Sequence, residues 1–177
     1  MELSELPVLV APELVELAAD LGARLRERGW RIATAESLTG GALAAALTSV
    51  AGCSDYVAGG LVSYQSDQKT RQLGVAADLI ARCGVVSAEV ASAMAVGVAQ
   101  RFEVECALAV TGAAGPDPSE DGQQPGTVWI ATCVNSDVRP LCYAFGKVGR
   151  DAVRFATVKA ALQQLRDRLD AEFLRTT

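Results

Sequence analysis

The stretch RIATAESLTGGALAAA, residues 31–46, changes its period half-way along. Arg31 to Ala35 reads as a short strand, Gly40-Gly41 as a turn, and the alanine-rich run to Ala46 as a helix. A strand that feeds a helix through a glycine turn is the repeating unit of an α/β fold. Upstream, Leu14, Leu17, Leu21 and Leu25 recur at helical spacing, with Pro12 suited to the first turn and Gly29 to the stop.

Downstream the alternation continues. Residues 56–64 read as a strand with two glycines, and Gln65 to Lys69 as a polar turn opening a short helix to Leu73. Ser87 suits the N-cap of a helix over 88–102, with Val90, Met94 and Val98 on one face. Strands are expected at 107–110, 127–133 and 141–145. The last helix starts at about Arg150, with Phe155, Val158, Leu162, Leu165 and Leu169 in one stripe. Apolar strands alternating with amphipathic helices predict a single-domain three-layer α/β/α sandwich around a central mixed, largely parallel sheet. Residues 112–126 form a long loop with four glycines, three prolines and three acidic residues, a length that signals either function or disorder.

At 177 residues the chain is long enough for one domain that buries roughly two-thirds of its unfolded surface. A formal net charge of −5 argues against broad nucleic-acid or membrane-surface binding. The N-terminus shows no signal-peptide pattern, and no apolar run reaches the roughly 20 residues of a membrane span, so a cytoplasmic protein is expected. The five cysteines are scattered and form no C-x-x-C pair, and no histidine could complete a zinc site. They read as small buried residues, and no metal or cofactor is expected.

The absence of histidine shapes the chemistry that is open to this chain. Ser37 lies where a strand ends and a glycine turn opens a helix, a place where backbone N–H groups favour developing negative charge. A serine nucleophile needs a base, and arginine cannot be deprotonated, so lysine in its neutral form is the substitute. Only Lys69, Lys147 and Lys159 are available, against thirteen arginines. Ser37 or Thr39 would equally serve as a plain helix N-cap. Lys69, after a strand and a polar turn, suits the rim of a site as well as it suits solvent. Thr111-Gly112 and the glycines that follow join another strand end to the long loop. Arg150 and Arg154 lie four apart on one helix face, where they would clamp a phosphate or carboxylate or simply face water.

Taken together, TAESLTGG at 34–41, GGLVSYQSDQKTRQLGV at 59–75, VVSAEVASAMA at 85–95, VTGAAGPD at 110–117, PGTVWIA at 125–131 and GRDAVR at 149–154 resemble the C-terminal domain of the competence/damage-inducible CinA family. All blocks occur in order between about residues 10 and 170. The resemblance implies the stand-alone form of that domain, without the molybdopterin-binding-like domain of longer CinA proteins. It implies a nicotinamide-nucleotide amidase that converts nicotinamide mononucleotide to nicotinate mononucleotide and ammonia, in pyridine nucleotide salvage. By the same resemblance the nucleophile falls on Ser37 and its base on Lys69, with Tyr64 and Thr111 lining the pocket as further catalytic residues that relay protons or orient the pair. Glu36, Thr39, Gly40, Gly41, Gly112 and Gly115 belong to the motifs expected around the substrate, and Arg150 and Arg154 are assigned to its phosphate. A homodimer is expected on the same ground. A Ser/Lys amidase for another amide, a non-catalytic interaction module and a binding protein without turnover are the alternatives. The chain departs from the family pattern at Leu38, where cysteine is usual, at Gly149, where aspartate is usual, and in the loop after Gly115.

Overall fold

The computed structural model describes residues 9–176. Helix α1 (Pro12–Arg28) has proline in its first turn and stops at Gly29, whose φ of 63° is left-handed. Strand β1 (Ile32–Glu36) and helix α2 (Ala42–Thr48) follow, then a single 3₁₀ turn and strand β2 (Val57–Val62). Three helices come next: α3 (Ser66–Leu73), α4 (Ala77–Cys83) and α5 (Ala88–Phe102). Ser87 caps α5, its side chain accepting from the Val90 amide as expected. Strands β3 (Cys106–Gly112), β4 (Thr127–Val134) and β5 (Asp137–Ala144) precede the closing helix α6 (Arg150–Thr176).

Strand order is β2-β1-β3-β4-β5. β1 pairs in parallel with both β2 and β3, while β4 runs antiparallel to β3 and to β5. The sheet is therefore mixed, and among the described strands only β4 is reversed. The chain leaves β1 toward β2 on one side and returns to β3 on the other. Such a reversal opens a crevice at the carboxyl ends of the strands, where α/β folds place their ligands.

Period-two alternation sends β1 and β3 side chains to opposite faces. Ile32, Leu108, Val110 and Ile130 pack against Leu21 and Leu25 of α1, Leu43 and Leu47 of α2, and Leu162 and Leu165 of α6. The other face is built mainly of alanine: Ala33, Ala35, Ala107, Ala109 and Ala131 lie under Val90, Met94 and Val98 of α5. Small residues there let α5 approach closely, and α3 and α4 flank it. Three layers result, as the sequence predicts.

Three local features differ from the sequence expectations. Helix α4 has no fully buried residue, and its seven residues hold too few apolar positions to show a period. β5 begins at Asp137 instead of 141, because Asn135 and Ser136, with φ of 47° and 70°, close a two-residue hairpin. Both positive angles mark a type I′ turn, yet serine stands where glycine usually signals it. Cys106 and Cys133 are buried, but Cys142 is exposed on β5. Among the described residues no helix is long and apolar enough to cross a membrane.

A Cβ on Gly97 in α5 would overlap the carbonyl oxygen of Leu73 at the end of α3. Gly97→Ala is therefore expected to lower unfolding stability by about 2 kcal/mol, the usual scale of overpacking, measured by urea denaturation. An unchanged midpoint would show that α3 moves aside freely.

Candidate active site

Ser37 stands one residue beyond β1, and its amide donates to the Val110 carbonyl of β3 at 3.1 Å. On the other side, the Ser63 amide donates to the Glu36 carbonyl at 2.8 Å, extending the β1–β2 pairing past the end of β2. The Ser63 and Tyr64 carbonyls thereby come beside Ser37. Helix α3 then carries Lys69 into the gap. Lys69 is fully buried, and its Nζ lies 3.2 Å from Ser37 Oγ, 2.8 Å from the Ser63 carbonyl and 3.0 Å from the Tyr64 carbonyl.

Burial penalises the charged amine and lowers its pKa from 10.5 to about 8, with Glu120 acting in the opposite direction. As an ammonium, Lys69 has three N–H groups for three oxygens. As a neutral amine it donates two to the carbonyls and turns its lone pair toward Ser37 Oγ, which then donates. Either state is accommodated without moving the chain. This is the arrangement of a nucleophile with its base.

A cavity of about 660 Å³ opens over this pair. Tyr64, Thr111, Gly112 and Gly115 line it with Ser37 and Lys69, so six of the residues singled out in the sequence share one space. The Thr111 hydroxyl donates to the Val85 carbonyl at 2.9 Å and joins the end of β3 to the segment before α5. Arg150 reaches the mouth of the site from α6. Its Nη2 donates to the Tyr64 hydroxyl at 2.9 Å and its Nη1 to the Gly115 carbonyl at 3.1 Å. It bridges the two walls.

Sequence reasoning did not place Asp117 and Glu120, which line the same cavity. They belong to the 112–126 loop, which is ordered: the Asp121 carboxylate accepts from the Val86 amide at 2.9 Å and from the Ser119 hydroxyl. Acidic residues in a long loop were visible in the sequence, but not the wall they form. Leu38 also lines the cavity while packing into the core.

The remaining candidates lie elsewhere. Glu36 is buried beneath the turn, its carboxylate accepting from the amides of Gly41 and Leu43, each at 3.0 Å, and of Ala44 at 2.8 Å. It caps α2, so the positive end of that helix already holds the protein's own anion. Gly40, Gly41 and Arg154 line a second cavity of about 470 Å³ that shares no wall with the first. Thr39 is buried and lines neither. The amides of Leu38, Thr39, Ala114 and Gly115 make no hydrogen bond among the described residues.

The model of the CinA C-terminal domain matches residues 14–169. The chain belongs to that family. A CinA-like protein of Gemmatimonas aurantiaca is 42% identical over 151 residues, covering 85% of this chain and 35% of that protein. One from Geobacter sulfurreducens is 47% identical over 144 residues, 81% of this chain and 35% of its own. This CinA domain thus spans about a third of the length of those curated relatives. Among solved structures, the competence damage-inducible protein A of Klebsiella pneumoniae superposes with a TM-score of 0.86 at 34% identity, covering 89% and 97% of the two chains. The competence/damage inducible protein of Agrobacterium tumefaciens gives 0.86 at 37% identity, covering 93% and 99%.

The capping role of Glu36 in this CinA domain is testable apart from any activity. Glu36→Gln keeps the shape but replaces one acceptor oxygen with a donor that faces backbone N–H groups. A loss of roughly 2 kcal/mol in unfolding free energy is expected, the scale of a charge-assisted hydrogen bond left unmade. Denaturation curves that superimpose with those of the parent would contradict the cap.

Proposed function

We propose that this CinA domain is a Ser/Lys amidase that hydrolyses the carboxamide of nicotinamide mononucleotide to nicotinate mononucleotide and ammonia, a step of pyridine nucleotide salvage. The observation that carries the reading is the fully buried Lys69 amine 3.2 Å from Ser37 Oγ, with a pKa lowered to about 8. A pKa one unit above neutrality leaves roughly a tenth of the molecules with a free amine at pH 7, against about one in three thousand for an ordinary lysine. Burial makes the base available without histidine.

In this mechanism neutral Lys69 takes the Ser37 proton as Oγ attacks the carboxamide carbon. Negative charge develops on the carboxamide oxygen. The unbonded amides of Leu38 and Thr39, or of Ala114 and Gly115, are the donors that remain for it, since Glu36 holds the amide of Gly41 and the Ser37 carbonyl holds that of Gly40. Lys69, now charged, returns the proton to the departing nitrogen, which leaves as ammonia. Water then opens the acyl-enzyme with Lys69 again as base. Tyr64 and Thr111 shape the pocket around these steps.

The walls suit the substrate's charges. The pyridinium ring of nicotinamide mononucleotide is a permanent cation, favoured beside the carboxylates of Asp117 and Glu120. Its phosphate is assigned to Arg150 at the mouth, where a guanidinium can bind two phosphate oxygens. A second reading, the same dyad acting on another cationic amide, is favoured by the loop that carries Asp117 and Glu120. A panel of amides separates the two.

Purified protein is expected to release ammonia from nicotinamide mononucleotide. Ser37→Ala and Lys69→Arg should each reduce that release by a thousandfold or more while leaving the fold intact. Because the neutral form of Lys69 is the active one, kcat/KM should rise about tenfold per pH unit below 7 and level off above about 9, with its midpoint near 8. Near-normal turnover by Lys69→Arg, or activity falling as pH rises through 8, would contradict the assignment.

A further inference from the structure

Between Ser37 and the first residue of α2 the chain makes one tight turn through Leu38, Thr39, Gly40 and Gly41. Gly40 and Gly41 have φ of 60° and 96°, a region open to glycine at little steric cost. The Gly40 amide donates to the Ser37 carbonyl at 3.0 Å, and the Ala42 amide to the Thr39 carbonyl at 3.2 Å. Beneath the turn, the Glu36 carboxylate holds the amides of Gly41, Leu43 and Ala44. From the opposite side, Arg154 Nη2 donates to the Thr39 carbonyl at 2.9 Å.

The Thr39–Gly40 peptide unit is therefore held at both of its polar ends. Its C=O meets the Arg154 guanidinium, and its N–H meets the backbone of Ser37 itself. Two adjacent glycines are the backbone most easily turned over, so an anchor has most effect there. The environment of Arg154 also differs from that of a phosphate ligand. The second cavity, to which it belongs, is lined by Val10, Leu14, Phe155 and Val158 and by Asp151, whose carboxylate lies 3.7 Å from Arg154 Nη1, and it shares no lining residue with the Ser37 cavity. Arg150, one turn earlier on α6, faces the mouth of the site instead.

We propose that Arg154 is a positioning residue, which locks the Thr39–Gly40 peptide and so fixes the turn that presents Ser37 and the Leu38 and Thr39 amides, and that it does not bind the substrate's phosphate. The assignment rests on the proposed amidase reading only through the role of Ser37. Without Arg154 the peptide keeps its neutral bonds but loses its charged anchor, and the nucleophile and the amides no longer share one fixed geometry. Misplacement of reacting groups lowers the rate of the chemical step more than it weakens binding.

The experiment compares Arg154→Met, Arg154→Lys and Arg150→Met on two amides that differ only in the phosphate, nicotinamide mononucleotide and nicotinamide riboside. Arg154→Met should lower kcat at least tenfold on both, by the same factor, with KM changed less than twofold. Arg154→Lys, which keeps a charged donor, should recover most of the loss. Arg150→Met should raise KM for the mononucleotide more than for the riboside. A KM effect of Arg154→Met confined to the mononucleotide, or an unchanged kcat, would overturn the proposal. The rate at which phenylmethanesulfonyl fluoride labels Ser37, followed by intact mass, supplies a readout independent of substrate. It should fall tenfold in Arg154→Met and return in Arg154→Lys, and equal labelling of parent and Arg154→Met would overturn the proposal. A parent labelled at Ser37 but inert on both amides would remove the amidase reading, while the labelling ratio still decides the role of Arg154. Should Arg154→Met fail to fold, Arg154→Leu, which also removes the donor, replaces it in both readings.

Discussion

A lysine amine shut away from water, between two backbone carbonyls and a serine hydroxyl, is the constraint around which this domain is arranged. Holding Lys69 there shifts its preference toward the neutral form by about 3 kcal/mol, the equivalent of lowering its pKa from 10.5 to about 8. The surrounding structure must keep those oxygens in place against that strain. Strand pairing does so, because Ser37 and Ser63 continue the β1 ladder on its two sides. Packing does the rest: an alanine face on the sheet admits α5, and Gly97 admits the end of α3, so the helix that carries Lys69 lies close. The three strand ends at the point of chain reversal then supply the serine, the carbonyls and the far wall.

The turn after β1 is the second element, and it is held by charges of opposite sign. Glu36 binds the amides that follow the turn, and Arg154 binds the carbonyl within it. The carboxylate has a further consequence. A helix N-terminus next to a nucleophile would ordinarily attract a substrate anion, but here Glu36 already occupies it. In the proposed reading the charge of the substrate's phosphate is left to the rim, where Arg150 stands. Acidic side chains on the opposing loop give the cavity the reverse polarity, which suits a cationic ring.

Much of this was legible in the sequence, for reasons that differ from feature to feature. The layer order follows from alternating periods, since a strand period and a helix period are both local. Elimination narrowed the base for Ser37 to three lysines, since the chain has no histidine, and the family resemblance pointed to Lys69 among them. The β5 hairpin was hidden because Ser136 occupies a position where glycine is the usual sign, and α4 because it buries too little to show a stripe. The contacts of Glu36 and Arg154 were not legible at all. Both depend on which way a side chain points across a layer boundary, and the spacing of Arg150 and Arg154 on one helix face gave no hint that Arg150 bonds to Tyr64 and Gly115 while Arg154 bonds to Thr39. Asp117 and Glu120 were visible as loop charges, but their place on the wall depends on the anchor that Asp121 makes to Val86.

The central claim is the lowered proton affinity of Lys69, and the scarcity of lysine makes it directly measurable. With carbon-13 at the lysine Cε, the protein carries three labelled side chains, Lys69, Lys147 and Lys159, whose chemical shifts follow their charge through a pH titration. The structure predicts one signal, absent from Lys69→Met, with its midpoint near 8. A Lys69 signal that titrates at the ordinary lysine value, above about 10, would contradict the buried neutral base, and with it the assignment of Lys69 as the partner of Ser37.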